Sequence, residues 1–472
     1  MNLTNASAKL FLSSILATFV STLGIIYFSK RIGAAGLGLY FIYVTLVSLS
    51  YFISDLGINK SVEKRISQGE PRAETIGSAV LIKGLLLLCS SIGLFLIDDH
   101  VNSYAGGPIT RLLILGIIVQ QFDSLIQSIL RSDHRVGETA DLQVIRQLVW
   151  ITVGVLLIAD GWGALGVIVA SLCGNLAAIA IGLLKLDRSI AFPSLAQIRS
   201  LFSFSKYAFI SQTSGKLYNW IDIFILGFFV SNALIGAYEG AWQISGIALL
   251  ISRSISTALF PEVSSWSSEE SAKRIANLLS RYITPVVFLT IPAVFGSFLL
   301  GEALLVAVYT PEFGVAAFVL IIFMVEKVIH SVHLLFGQII QGMNRPEVTA
   351  KASVISIIIN ILGNILLIPA YGIEGAAIAT SASHIINTTL LYLYVKKVWA
   401  VKIPVKEIVW CIVASVLMSI SIYIGLDLNS IRSMPEVFVA IAFGAIVYLV
   451  ISLGYRPLRR QAFDTLTSFV ST

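Results

Sequence analysis

Residues 342–386 read "GMNRPEVTAKASVISIIINILGNILLIPAYGIEGAAIATSASHII". The opening Gly-Met-Asn-Arg-Pro is turn chemistry. Two apolar runs follow, 350–369 and the start of 373–395, parted only by "AYG". At 1.5 Å of rise per residue, about 20 residues cross a hydrocarbon core of about 30 Å as a helix. Two membrane spans joined by a tight turn are the direct reading.

The same pattern runs outward to both ends. Spans are predicted at 8–28, 37–57, 76–97, 110–131, 143–159, 163–185, 207–230, 235–257, 282–301, 314–341, 350–369, 373–395, 407–426 and 435–455. Their boundaries fall at clusters of Gly, Pro and charge such as "QGEPR" and "LNSIRSMPE". The chain is 57% hydrophobic and 12% charged, with a mean hydropathy of +0.89. Soluble domains carry about 25% charged residues, so the fold class is an all-α polytopic membrane protein with fourteen transmembrane helices. The N-terminal apolar run continues to Phe28 and reads as a retained first helix, not a signal peptide. The half-apolar "SIAFPSLAQIRSLFSF" before span seven suits a short helix along the interface.

Basic residues orient the chain. Alternate loops hold Lys60, Lys64, Arg65 and Arg72, then Arg131 and Arg135, and so on to Arg456, Arg459 and Arg460 at the tail. The count is twenty-two against four, the four being Lys30, Arg31, Arg111 and Arg432. Positively charged loops stay inside, so both termini are expected in the cytoplasm. The net charge of +6 is this orientation signal; it is dispersed, so no nucleic-acid partner is implied. Cys89, Cys173 and Cys411 form neither a disulfide framework nor a metal site.

An internal repeat is visible beneath the hydropathy. A shift of 198 places Ala35, Gly38 and Tyr40 on Ala233, Gly236 and Tyr238. A shift of 209 places Gly154, Gly163, Gly166 and Ala170 on Gly363, Gly372, Gly375 and Ala379, and near 210 "DHR" at 133–135 meets "MNR" at 343–345. Two six-span halves of like orientation follow, and parallel repeats hold their substrate site between them near the midplane. The expected divisions are 1–190, 191–400 and a remainder, 401–472, with two further spans and a tail.

Three stretches make the resemblance specific: "KRIGAAGLGLY" at 30–40, "GWGALGVIVAS" at 161–171 and the opening segment, above all "NILGNILLIPAYGIEGAAIAT" at 360–380. The chain resembles the MOP superfamily of flippases and exporters, in the polysaccharide-biosynthesis (Wzx-type) branch that moves lipid-linked oligosaccharides. Gly363 departs from that pattern, which often has Leu there. The resemblance implies two pseudo-symmetric, MATE-like six-helix bundles plus two C-terminal helices. It also implies a cavity lined by spans one, two, seven and eight, where cations hold a phosphate or pyrophosphate.

Polar residues inside the spans supply candidates, because a charge at mid-bilayer costs about 2.5–3.5 kcal/mol and so faces protein or water. Span seven carries Lys216 and Asn219 on one face with Asp222 at its edge; span eight carries Glu239, Gln243 and Arg253 in one stripe. The 198-residue shift lays Asn219, Lys216 and Gln212 on Ser21, Thr18 and Ser14, and Arg253 on Asp55. Lys216 and Arg253 are the expected headgroup ligands. Asp222, Glu239 and Asp55 pair with them when the cavity is empty; ordinary interhelical pairing with no ligand is the competing reading. Lys83 reads as snorkelling or helix-paired. In "FMVEKVIHSVH", 323–333, Glu326, His330 and His333 share a helix face with Lys327 about 100° round. These groups are expected to face water held inside the protein. Proton coupling suits them better than a metal, since no partner His or Cys cluster is evident elsewhere.

The functional expectation is a flippase for polyprenyl-(di)phosphate-linked sugars, with the bilayer and glycan-assembly enzymes as partners and no cofactor. A cation-coupled multidrug or small-amphiphile antiporter of the same superfamily is the alternative. A membrane glycosyltransferase or polymerase is disfavoured, because the loops hold no soluble domain and no spaced D-x-D motif.

Overall fold

The computed structural model describes residues 3–186, 191–264, 271–399, 401, 403–427, 431 and 433–460; the side chains of 3–12, 210–219, 261 and 271–272 fall outside the description. By compactness the chain divides into two units, Met1–Gly236 and Ala237–Thr472. This grouping follows packing and so differs from divisions drawn on the repeat.

The first unit begins with α1 (Leu3–Asp55). A straight helix of 53 residues would run about 80 Å, far beyond a bilayer core. The chain solves this at Gly33, whose φ of 68° and ψ of −176° interrupt the helix inside "KRIGAAG". Then follow α2 (Ile58–Ser67), α3 (Arg72–Leu96), α4 (Asp98–Ala105), α5 (Thr110–Ser132), α6 (Val136–Ala159), α7 (Gly163–Lys185) and α8 (Leu195–Leu226). Of the segment expected to lie separately along the interface, residues 195–204 form the first part of α8. The Ser194 hydroxyl caps it by accepting from the Gln197 N–H at 3.2 Å. α8 packs on α1, α2 and α3. Arg65 of α2 donates to the Ser200 carbonyl and the Ser203 hydroxyl, and Ser61 to the Leu201 carbonyl.

The second unit starts within α9 (Asn232–Ile247), which breaks before α10 (Leu250–Ser264) with a bend of 54°. Span eight, expected as one helix over 235–257, is therefore two. Next come α11 (Ser271–Val287), α12 (Thr290–Val308), a 3₁₀ turn at Pro311–Ala316, α13 (Ala317–Gly342) and α14 (Pro346–Trp399). α14 is the opening stretch of the sequence reading, folded back at Gly372 with φ 55° and ψ −129°. Expected span nine, 282–301, begins inside α11, crosses the α11–α12 break and continues into α12.

α15 (Val405–Gly425) and α16 (Met434–Gly454) pack on each other and on α12. Ser433 and Glu436 close a capping box at the start of α16. Tyr448 donates to the Phe288 carbonyl at 2.7 Å over a core of Ala414, Met418 and Ile422.

Many exposed side chains are large and apolar, as Leu85, Leu88, Phe95 and Leu96 on α3 and Ile420, Tyr423 and Ile424 on α15 illustrate. A soluble surface rarely tolerates such patches; a bilayer requires them. Among the described residues ten helical stretches are long and apolar enough to cross, eleven if the bent α9–α10 pair is one span. That tally treats α1 and α14 as single stretches, although each contains two predicted spans.

The sequence offsets reappear in the backbone. His134 and Asn344, 210 residues apart, take φ of 57° and 56°. Their turns match bond for bond: Arg135 N–H to Leu130 O at 2.9 Å, Arg345 N–H to Ile340 O at 3.1 Å. Gly163 and Gly372, 209 apart, have φ of 54° and 55°. Where α9 begins, a Cβ on Gly38 would strike the Asn232 carbonyl oxygen and one on Gly236 the Ala34 carbonyl oxygen. The 198-residue shift carries Gly38 onto Gly236 and Ala34 onto Asn232, so each contact is the repeat of the other, and only glycine at these two places lets the backbones approach.

Candidate functional site

α13 is positioned by apolar residues that the rest of the second unit buries, among them Val319, Leu320, Phe323, Phe336, Ile339 and Ile340. Inside that packing Glu326 is 0% and Lys327 1% exposed. A buried ion costs several kcal/mol unless its partners are close and its lone pairs are filled. Here they are. The Lys327 ammonium lies 2.5 Å from Glu326 Oε2 and 3.6 Å from the centre of the Trp242 ring of α9, a cation–π contact. On the other oxygen, Oε1, two imidazoles converge: His330 Nδ1 at 2.9 Å and His384 Nδ1 from α14. A carboxylate oxygen only accepts, so each ring carries its proton on Nδ1. His333 adds a ring contact to His330 at 5.7 Å between centres.

Of the four groups that the sequence placed against internal water, Glu326, Lys327 and His330 thus satisfy one another, while His333 Nδ1 has no hydrogen-bond partner among the described residues. The sequence could not name the fifth, His384, 58 residues further on. Glu326, His330 and His384 bring their donor atoms within 4.8 Å of one another, the composition of a two-histidine, one-carboxylate metal site. Lys327 already neutralises that carboxylate, however, and a dication would sit beside a buried ammonium. The set is closed as a hydrogen-bonded charge network.

The remaining candidates are dispersed. Lys216 and Asn219 lie on α8 with side chains outside the described residues. Asp222, near the end of α8, is buried, and Glu239 on α9 is 9% exposed; both have interaction partners. Gln243 is half-buried one residue after Trp242. Arg253 is exposed on α10, past the bend that interrupts its expected stripe with Glu239 and Gln243, and its charge acts on Lys327. Thr18 is exposed and its hydroxyl is spent on the Ser14 carbonyl at 2.8 Å.

Asp55 does not stand open for a substrate. It binds Lys83 at 2.8 Å, and Lys83 also meets Gln121, which bonds Ser54 at 2.7 Å. Lys83 is 4% and Asp55 6% exposed, so Lys83 is helix-paired and does not snorkel.

Comparison with known proteins agrees with this architecture. The family model described as polysaccharide biosynthesis protein matches residues 31–318. The chain is 36% identical over 470 residues to the probable low-salt glycan biosynthesis flippase Agl15 of Haloferax volcanii, covering 100% of both. A solved structure of the lipid II flippase MurJ, inward closed, superposes with a TM-score of 0.81 at 18% identity, covering 95% of this chain and 99% of that one. An inward-facing multidrug resistance MATE family transporter of the MOP superfamily gives 0.58 at 15%, covering 83% and 97%. At such identities the two structures speak for the fold alone. The full-length relative and the family match together make this chain a multi-pass membrane protein of the polysaccharide biosynthesis family.

Proposed function

We propose that this protein is a flippase that carries a polyprenyl-(di)phosphate-linked sugar or oligosaccharide across the cytoplasmic membrane by alternating access, for the assembly of surface polysaccharide or protein glycans. The observation that carries the reading is the end-to-end likeness to Agl15, a protein named for glycan flipping. A second feature agrees with a lipid-borne cargo. In the second unit an apolar cavity of about 500 Å³ opens among α10, α12, α15 and α16, lined by Ile251, Pro292, Leu300, Met418 and Tyr448 among others. It suits an isoprenoid chain, while Lys216 and Arg253 compensate the phosphate charge. Glycan-assembly enzymes supply and consume the cargo.

The buried network adds a coupling role within the same reading. Glu326, with His330, His333 and Lys327 on α13, His384 on α14 and the charge of Arg253 on α10, forms the centre where a proton is taken up and released during the cycle. The same centre would serve a cation-coupled antiporter of small amphiphiles, so the test must separate the two cargoes.

Purified protein in proteoliposomes is given fluorescent polyprenyl-diphosphate-N-acetylglucosamine on one side, and in parallel ethidium. Transfer of the lipid, lost in Lys216→Ala or Arg253→Ala, is the expected result. Ethidium transport without lipid transfer favours the antiporter, and lipid transfer unchanged in both variants removes Lys216 and Arg253 from the site. Acceleration by an imposed pH gradient, lost in Glu326→Gln while downhill exchange persists, is the expected sign of the coupling centre.

A further inference from the structure

The first unit contains a cavity of about 170 Å³ with a mixed polar and apolar wall among α1, α5, α6 and α7. At about 30 Å³ per water, it has room for roughly six waters. Tyr43, Gln120, Arg146, Gln147, Trp150 and Asn175 are among its lining residues. Tyr43 and Trp150 are aromatic, and Trp150 stacks on Tyr40, ring centres 5.9 Å apart and planes at 21°.

The charge of this wall is balanced. Arg146 binds Asp123 at 2.6 Å, and Asp123 also accepts from Gln127 at 2.6 Å. What remains unspent is neutral hydrogen-bonding capacity. Beside the cavity, Arg146 Nε and Trp150 Nε1 are donors, and Asn175 Oδ1 an acceptor, with no hydrogen-bond partner among the described residues. Gln120 offers its amide to Ser124 only at 3.5 Å. Leaving such groups unmatched inside a membrane bundle is costly. An occupant whose polar atoms both donate and accept matches the Gln120, Gln147 and Asn175 amides that line the cavity.

We propose that this cavity is a binding site for one neutral monosaccharide ring, taken by its hydroxyls on the Gln120, Gln147 and Asn175 amides and by its apolar face on the Tyr43–Trp150 wall. The proposal deepens the flippase reading and rests on it for the cargo's identity: the ring is a sugar of the lipid-linked glycan.

The test uses Gln147→Leu/Asn175→Leu, a double variant that removes two polar heads at little change in volume and should fold normally, as thermal melting verifies. Flipping is compared for polyprenyl-diphosphate-N-acetylglucosamine and for polyprenyl diphosphate without sugar. The expected result is about a tenfold slower transfer of the glycosylated lipid, from two lost hydrogen bonds, with the bare lipid unchanged. In a second arm, tryptophan fluorescence of the purified protein is titrated with free glucose, N-acetylglucosamine and glucuronate. A saturable change with a neutral sugar, absent in the double variant, supports the site. If wild type moves neither lipid, the flippase reading fails and this second arm alone judges the cavity. No saturable change with any sugar, a response to glucuronate only, or equal slowing of both lipids overturns the proposal and leaves a cavity filled by water.

Discussion

Glu326 accepts from three donors, and the consequences of removing it differ from those of removing one of them. Glu326→Ala leaves the Lys327 ammonium buried with only aromatic faces for company. Breaking a buried pair in this way costs about 3–5 kcal/mol, seen as a large drop in the melting temperature of the purified protein in detergent. Adding Lys327→Met removes the stranded charge and should restore most of the loss; a double variant as unstable as the single one would mean that Lys327 is not the partner that matters. Asp55 and Lys83 follow the same logic in the first unit: Lys83→Met alone destabilises, and Asp55→Leu with it recovers stability. How far the sequence reached is clear at this scale. Helical spacing placed Glu326, His330 and His333 together because their relation is local, four and seven residues along one helix. His384 was hidden because the approach of α14 to α13 is set by packing, which no spacing encodes. Arg146, Gln147 and Trp150 stand inside span five, whose hydropathy masks them, and their common cavity arises from packing with α1, α5 and α7.

At the scale of elements, turns carry the repeat. His134 and Asn344 are exposed residues in left-handed conformations. That conformation costs an ordinary residue about 1–2 kcal/mol and asparagine less. His134→Gly should therefore stabilise by about 0.5–1 kcal/mol, once glycine's extra chain entropy is set against the relief. Asn344→Gly should be near neutral, and valine at either place should cost about 1–2 kcal/mol. A stabilisation at Asn344 larger than at His134 would show that the two turns are not equivalent. The breaks at Gly33 and Gly372 were legible as glycine-rich punctuation. The break between α9 and α10 was not: "SGIALLISR" has no proline, and hydropathy runs through it unchanged. A polar stripe drawn at 100° per residue across that segment fails because a helix wheel assumes a straight axis, and here the axis turns by 54°.

For the whole molecule, hydropathy decides the class and charge decides the orientation, since the two are separate physical quantities. Membrane insertion depends on apolar length. Topology depends on where Lys and Arg remain. The second can be tested without reference to transport. Single cysteines are placed at Gly107, following α4, and at Gln68, following α2, in a variant with Cys89, Cys173 and Cys411 replaced by alanine, and labelled in intact cells with a membrane-impermeant maleimide. Twenty-two basic residues against four predict labelling at Gly107 without lysis and at Gln68 only after it. Labelling in the opposite order would invert every side assigned here, including the direction of flipping, while leaving the fold untouched. Moving charge should act where that asymmetry resides. Lys60→Gln with Lys64→Gln removes two of the four basic residues of one loop, yet leaves twenty against four over the chain. Gln68 should therefore stay inaccessible in intact cells; if those two changes alone expose it, orientation is decided by the first loops and the global count carries no weight.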